Sequence, residues 1–324
     1  MTPLVLMYHD INEAYCELQT IKQHYTEWEQ TRNGRALVFQ APVIVMHTVP
    51  ERCVLFDSNR DANPFFHYME AIWMLAGSDD VSFPSKFAGN IAQYSDDGAT
   101  LHGAYGWRWR AHFAFDQLST LINLLKRDPT TRRAVLTMWD PIVDLGRQSL
   151  DLPCNTQVYF QARNGRLNMT VTNRSNDLVW GMLGANAVHM TALHEYVSCA
   201  AGLDLGTYYQ FTNNLHVYEG WTDRFNSAPD RWYNSAGAFK RWKWSPDNLG
   251  IVDAQRFVEN GLDTEDKYAS RILRDNAVPM MLAWNDYKAG EIDSAILHAA
   301  QIHDADWSRG CVLWLQRRKL NVQE

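Results

Sequence analysis

Cysteine is sparse and scattered: five residues (Cys16, Cys53, Cys154, Cys199, Cys311) in 324, none of them spaced as Cys-x-x-Cys. That leaves neither a disulfide framework nor a zinc-type ligand set, so no metal is expected, and it fits a reducing, cytoplasmic setting. Long apolar runs are also missing, which excludes a helical membrane span. Leu4-Val5-Leu6 is soon broken by Asp10 and is too short for a signal peptide. There is no glycine-rich phosphate loop, dinucleotide fingerprint, internal repeat or low-complexity tract. Positive charge is not in excess. The net charge of −7 argues against broad coating of DNA or RNA and leaves room for a local basic pocket. What remains is an ordinary soluble profile, 46% hydrophobic and 21% charged, enough for one large domain or two modest ones. Tryptophan is plentiful at 13, which suits flat ligands, a large interface or a big aromatic core.

The most chemically pointed stretch is Leu152-Pro153-Cys154-Asn155. Proline fixes φ just before a cysteine, and Val158-Tyr159-Phe160 beyond it reads as a strand. Twenty residues after the cysteine comes Asn173-Arg174-Ser175-Asn176-Asp177, at the end of a second strand predicted over 166–173. Asn164-Gly165 between the two strands is a strong hairpin signal. A guanidinium brought beside a thiol favours the thiolate, which is the nucleophilic form. A small buried hydrophobe is the alternative for Cys154 taken alone.

Other elements frame this one. Asn63-Pro64 predicts a helix start and Gly77 its end, with Glu70 inside an apolar stretch. A carboxylate there either reaches the surface or is buried with a raised pKa that suits proton transfer. Gly103 to Arg110 alternates arginine with tryptophan, the pattern of a planar-ring pocket or of an aromatic core edge. Thr31 to Arg35 reads as a turn in which an anion could sit beside Arg32, or as a hairpin with solvated arginines. Arg132-Arg133 enters a strand predicted over 134–139, where the pair could clamp a phosphate or form a solvated rim. A long apolar helix is predicted over 185–202, strands over 205–211 and 215–218, and mostly helix over 264–305.

The ordered set Glu70 to Gly77, Tyr105-Gly106, Asp128-Pro129 with Arg132-Arg133, Leu152-Pro153-Cys154, Asn173 to Asp177, Gly181 with Asn186, and His216-Val217-Tyr218 resembles the thymidylate synthase family, including its pyrimidine nucleotide hydroxymethylases. The resemblance covers about residues 30–220. It implies one α/β domain over 1–324, with 221–324 as a divergent extension. The fold implied is a large mixed sheet covered by helices and packed against the sheet of a second copy. The implied substrates are a pyrimidine nucleoside monophosphate and 5,10-methylenetetrahydrofolate. Cys154 corresponds to the thiolate that adds to C6 of the base. Glu70 and Tyr105 correspond to members of a proton-moving water network. Arg32, Arg174 and Ser175 correspond to phosphate ligands, with Arg132 and Arg133 reaching in from the neighbouring subunit of a homodimer. His216 and Tyr218 correspond to ligands of the sugar 3′-hydroxyl, and Asp177 to the pterin ligand. No DNA or membrane partner is implied.

Departures from the family pattern bear on the product. Asn186 stands one position late, and the distance from Cys154 to His216 is one residue longer than usual, as if one residue were inserted. An asparagine amide donates to O4 and accepts from N3–H of uracil, so Asn186 points to dUMP unless it is only a helix N-cap. Cys154 is followed by Asn155 where histidine is usual. Ile91 and Tyr94 stand where synthases carry tryptophans that shield the one-carbon adduct, and Asn321 to Glu324 does not resemble the usual closing tail. Water reaching the adduct gives a hydroxymethyl product, whereas hydride gives methyl. Hydroxymethylation of dUMP is therefore expected. The dCMP or CMP reaction, thymidylate synthesis, and a catalytically inactive nucleotide- or RNA-binding relative are the alternatives. Enzymes that make modified pyrimidines are often viral or belong to antibiotic pathways.

Overall fold

The computed structural model of the chain describes residues 2–31, 33–222, 250–262 and 268–321. Arg32 lies outside the described residues, as do Trp232, Trp242 and Trp244 and the last three residues of the Asn321 to Glu324 tail. The chain forms two compact units. The first comprises Met1–Ala62, Gln117–Gly146 and Pro153–Gly237, and the second Asn63–Asp116, Arg147–Leu152 and Ala238–Glu324.

The first unit carries two sheets. Strands β1 (Leu4–Tyr8), β2 (Thr26–Thr31), β3 (Gly34–Phe39), β4 (Val43–His47), β5 (Val135–Thr137), β6 (Asn155–Arg163), β7 (Arg166–Asn173), β8 (Asn176–Asp177), β9 (Asp204–Thr212) and β10 (Leu215–Tyr218) sort into a six-stranded sheet, β1-β4-β9-β7-β6-β5, and a four-stranded one, β2-β3-β10-β8. The large sheet is mixed: β1/β4 and β7/β9 are parallel, the other neighbours antiparallel. Strands β6 and β7 form the expected hairpin. Asn164 and Gly165 both take positive φ (51° and 76°), which a two-residue turn matched to strand twist requires. The chain leaves β9 through Asn213-Asn214 and joins the smaller sheet as β10, so one tight corner links both sheets beside β8.

Between the sheets and the first helix (Ile11–Tyr25) lies an apolar core that includes Tyr8, Ile11, Tyr15, Leu18, Val43, Val45, Leu178, Met182, Leu183 and Val217. Each such side chain, withdrawn from water, contributes about 1.5–3 kcal/mol before the entropy of ordering it is counted. The predicted helix over 185–202 is Asn186–Ala201, closed by Gly202 in the left-handed conformation. It is buried on nearly every side, which explains its apolar composition all round rather than along one stripe.

The second unit is helical. Its Pro64–Ala76 helix starts as expected: Asn63 Oδ1 accepts from the Phe66 N–H at 3.2 Å, and Gly77 closes the helix at φ 81°. Phe65, Phe87, Trp284 and Trp314 form an aromatic cluster, with ring centroids 5.3–5.9 Å apart. Helices Ile251–Asn260, Val278–Lys288, Ile292–Ala299 and Ala305–Asn321 join the Pro64–Ala76 helix in this unit, with shorter helical segments that include Ile91–Tyr94 and Tyr105–Trp107. Gly106 explains its own place in the Tyr105-Gly106 motif. A Cβ there would lie 1.8 Å from the Met74 carbonyl oxygen.

Among the described residues no helix is long and apolar enough to cross a membrane.

Candidate active site

Pro153 is buried and Cys154, which is not in a disulfide, is half-buried at the entry to β6. The β6–β7 register pairs Asn155 with Asn173, so residue 174 arrives beside residue 154. The Arg174 N–H donates to the Cys154 carbonyl at 3.0 Å, Nε donates to the Pro153 carbonyl at 2.9 Å, and Nη2 stands 4.0 Å from the Cys154 sulfur. The guanidinium also lies 5.5 Å from the centroid of the Trp139 ring. Two backbone bonds and an aromatic face thus fix a positive charge next to the thiol while the rest of Arg174 stays exposed. A register shift between Asn155 and Gln157 marks an irregularity in the strand immediately after the cysteine, a device that re-aims side chains at a site.

The residues after Arg174 turn into the smaller sheet. Asp177 pairs with His216 across the parallel β8/β10 ladder. Asp177 Oδ1 accepts from the N–H groups of Val179 (2.8 Å) and Trp180 (2.6 Å) and so caps the following helical turn. Its other oxygen, Oδ2, is buried and takes no hydrogen bond among the described residues. Burial pushes the carboxyl of Asp177 upward, against the two N–H groups and the charges of His216 and Arg60, which pull it down. His216 is buried, with Nδ1 likewise unsatisfied among the described residues, and its ring stands edge-on to Tyr218 at 4.9 Å. The Tyr218 hydroxyl accepts from Asn33 at 3.3 Å.

A chain of three side-chain amides lies beside this corner. Asn155 Nδ2 donates to Asn186 Oδ1 at 3.2 Å, and Asn186 Nδ2 donates to Asn176 Oδ1 at 3.0 Å. Asn186 is therefore no N-cap. Ala185 holds that position without a side-chain bond, and the Asn186 amide is engaged elsewhere. The segment Leu178–Ala185 is wound as a π-helix, with the Asn186 N–H donating back to the Gly181 carbonyl and a break at Gly184 (φ −125°, ψ −117°). A wide turn takes up one residue more than an α-turn. That is how Asn186 can stand one place late in sequence and still face Asn155.

The expected phosphate arginines divide. Arg132 and Arg133 are both exposed at the entry to β5, and neither has an ion-pair partner among the described residues. Ser175 is half-buried between Arg174 and Asn176. In the second unit Glu70 is half-buried with Oε2 enclosed, and Tyr105 is half-buried at the head of a short helical turn. Near them, Asp151 accepts from the Gly103 N–H at 2.8 Å, and its pKa is raised by burial and, to a lesser extent, by Glu70.

Several contributors escape a reading of the sequence. Arg60, in a polar turn without a recognisable pattern, is buried, donates to the Val179 carbonyl at 3.1 Å and stacks on Trp180 at 4.2 Å. Arg108, in the segment expected to carry outward arginines or line a pocket, is instead fully buried and donates twice to the His102 carbonyl (3.1 and 2.9 Å). Among the described residues no group of three or more His, Cys, Asp or Glu side chains is placed to hold a metal ion.

A thiol beside a fixed guanidinium, a chain of side-chain amides and a carboxylate with one enclosed oxygen without a partner among the described residues thus meet at the junction of the two sheets. The thymidylate synthase family model matches residues 20–245, and the chain belongs to that family. Over 309 residues it is 41% identical to a deoxyuridylate hydroxymethyltransferase of Pseudomonas phage M6, covering 89% of this chain and 87% of the relative. A deoxyuridylate hydroxymethyltransferase of Bacillus phage SP01 is 38% identical over 196 residues, 57% of this chain and 51% of that protein. A thymidylate synthase of Symbiobacterium thermophilum is 28% identical over 214 residues, 61% of this chain and 74% of that one.

Proposed function

We propose that the protein transfers a one-carbon unit from 5,10-methylenetetrahydrofolate to C5 of dUMP and that water completes the product as 5-hydroxymethyl-dUMP. The observation that carries this reading is the Cys154 thiol held beside the Arg174 guanidinium, in a chain 41% identical over 309 residues to a deoxyuridylate hydroxymethyltransferase.

Cys154 adds as thiolate to C6 of the pyrimidine, which makes C5 a carbon nucleophile. The folate supplies the one-carbon unit at the oxidation level of formaldehyde, so addition of water needs no oxidant or reductant. Loss of the C5 proton breaks the bond between the methylene and the folate nitrogen, which leaves as tetrahydrofolate; water then adds to the exocyclic methylene, and departure of the thiolate from C6 restores the ring and frees the enzyme. Asn186 holds the O4–N3 edge of the base. Arg174 and Ser175 bind the 5′-phosphate with Arg32, while Arg132 and Arg133 reach it from a second copy of the chain. His216 and Tyr218 bind the 3′-hydroxyl. Asp177 fits a pterin, because its Oδ2 is an enclosed acceptor with no internal partner among the described residues. Glu70 and Tyr105 move protons at C5 and O4 through ordered water. The turn Ile91–Tyr94 carries no tryptophan, and that difference from the family pattern supports water as the group that completes the product.

Release of the C5 hydrogen from labelled dUMP, dCMP, UMP and CMP, each given with methylenetetrahydrofolate, tests the substrate. Fastest release from dUMP is expected. Turnover of a cytosine nucleotide with dUMP inert overturns the assignment.

A further inference from the structure

The three-amide chain does more than hold Asn186 in place. A primary amide has a donor end and an acceptor end, and the two pyrimidines present opposite patterns. Uracil offers an acceptor at O4 and a donor at N3–H, whereas cytosine offers a donor at N4 and an acceptor at N3. A single asparagine turned through half a rotation about its last torsion therefore reads one base or the other. In this protein Asn186 cannot turn alone. Its Oδ1 accepts from Asn155 at 3.2 Å and its Nδ2 donates to Asn176 at 3.0 Å. All three side chains are buried, with Asn155 fully enclosed. Reversing only the middle amide would set donor against donor at one end and acceptor against acceptor at the other, a costly arrangement for buried amides.

Both ends are anchored. Asn155 begins β6 opposite Asn173, and the Asn176 N–H donates to the Asn214 carbonyl at 2.9 Å. The space is tight as well. A Cβ on Gly181 would stand 2.1 Å from Asn176 Oδ1 and 3.1 Å from Asn186 Nδ2, so the missing side chain at Gly181 is what admits the chain. Among the described residues Asn176 Nδ2 has no partner, so a donor is available at that end for the reversed arrangement.

We propose that Asn155 and Asn176 are positioning residues whose shared hydrogen-bond polarity with Asn186 sets the choice between uracil and cytosine nucleotides. This rests on the reading that Asn186 faces the base edge. On that reading the polarity present, with donors running from Asn155 through Asn186 to Asn176, is assigned to uracil and the reverse to cytosine. A group that can only accept, placed at one end, fixes the direction of the whole chain.

Two near-isosteric variants test this by pushing in opposite directions with the same added charge. Asn155→Asp accepts only, so Asn186 must turn its Nδ2 toward position 155 and its Oδ1 toward Asn176. Asn176→Asp accepts only at the other end and keeps the present direction. The kcat/KM ratio for dUMP over dCMP is read at alkaline pH, where the new carboxylate is ionised, alongside calorimetric binding of both nucleotides. Asn155→Asp is expected to move the ratio toward dCMP by about 10- to 100-fold, the equivalent of the two mismatched buried contacts avoided. Asn176→Asp is expected to leave the ratio at or above that of the unmodified protein. An unchanged ratio in Asn155→Asp, or a shift of the same sign in both variants, overturns the proposal. Should Asn155→Asp fail to fold, Asn155→Ala removes the anchor without charge and is expected to lower the ratio. An unaltered ratio there overturns the proposal equally. Asn186→Ala separates the two layers. If it leaves the ratio intact, the base-edge reading of Asn186 is wrong. If it erases the preference while both Asn155 variants keep it, only the polarity proposal falls.

Discussion

Arg174 approaches the Cys154 sulfur to 4.0 Å with Nη2 while its Nε remains bonded to the Pro153 carbonyl at 2.9 Å. The planar guanidinium can do both at once, whereas a lysine ammonium on a flexible stem cannot. Arg174→Lys is therefore expected to lower kcat/KM by roughly 10- to 100-fold, the worth of a lost charge-assisted bond in a fixed geometry. Cys154→Ser is expected to bind nucleotide yet neither release the C5 hydrogen nor turn over. Steady-state kinetics with nucleotide-binding calorimetry checks both, and full activity in Cys154→Ser removes the sulfur from the chemistry.

Two glycines carry unequal steric risk. A Cβ at Gly181 meets the far end of the Asn176 side chain at 2.1 Å, whereas one at Gly106 meets the Met74 backbone carbonyl at 1.8 Å. Gly181→Ala is expected to cost about 1–3 kcal/mol, because the amide chain can shift. Gly106→Ala is expected to cost more, since a helix backbone cannot give way locally. Thermal melts of the two variants rank them, and equal midpoints contradict the ranking.

Buried imidazoles set an acid limit to stability. Burial lowers both His47 and His194 from the ordinary 6.5 to about 4, and His194 stays low despite its bond to the Leu167 carbonyl. The unfolded chain takes up these protons near 6.5 and the folded chain only near 4, so stability falls as pH drops through that window. Each histidine contributes a slope of about 1.36 kcal/mol per pH unit there. Urea denaturation across the window is expected to show the fall, and His47→Gln to flatten it. A denaturation midpoint that does not move over the same range rules out neutral burial of these rings.

Arg132 and Arg133, exposed and without an ion-pair partner among the described residues, bear on whether the site is shared between copies. If each reaches the phosphate site of a neighbour, Arg133→Ala and Cys154→Ser variants are each impaired, and hybrid dimers regain activity through the site that inherits both native residues. Mixing the two after subunit exchange is expected to restore a fraction of the rate. No rescue, with exchange demonstrated by mass, argues for sites built from one chain.

Legibility of the fold tracked how local its causes were. The Asn63 cap, the Gly77 stop, the Asn164-Gly165 turn and the helix before Gly202 are written in a few adjacent residues and appear where the sequence places them. The Cys154–Arg174 contact was readable because a two-residue hairpin fixes the register of the strands that carry them. The amide chain was only half readable. Asn155 stood out as a replacement for histidine, but its link to Asn186 and Asn176 depends on a π-turn and on the empty space at Gly181, which no periodicity reports. Arg60 and Arg108 were invisible as buried groups, because their partners are backbone carbonyls and the arrangement of those is a property of the folded chain.

The identity of the product tests the central claim most directly. Purified protein is given dUMP and methylenetetrahydrofolate, the nucleotide product is weighed by mass spectrometry, and the folate product is followed in the same reaction. A 5-hydroxymethyl-dUMP mass with tetrahydrofolate as the sole folate product is expected. A methyl product accompanied by dihydrofolate contradicts it.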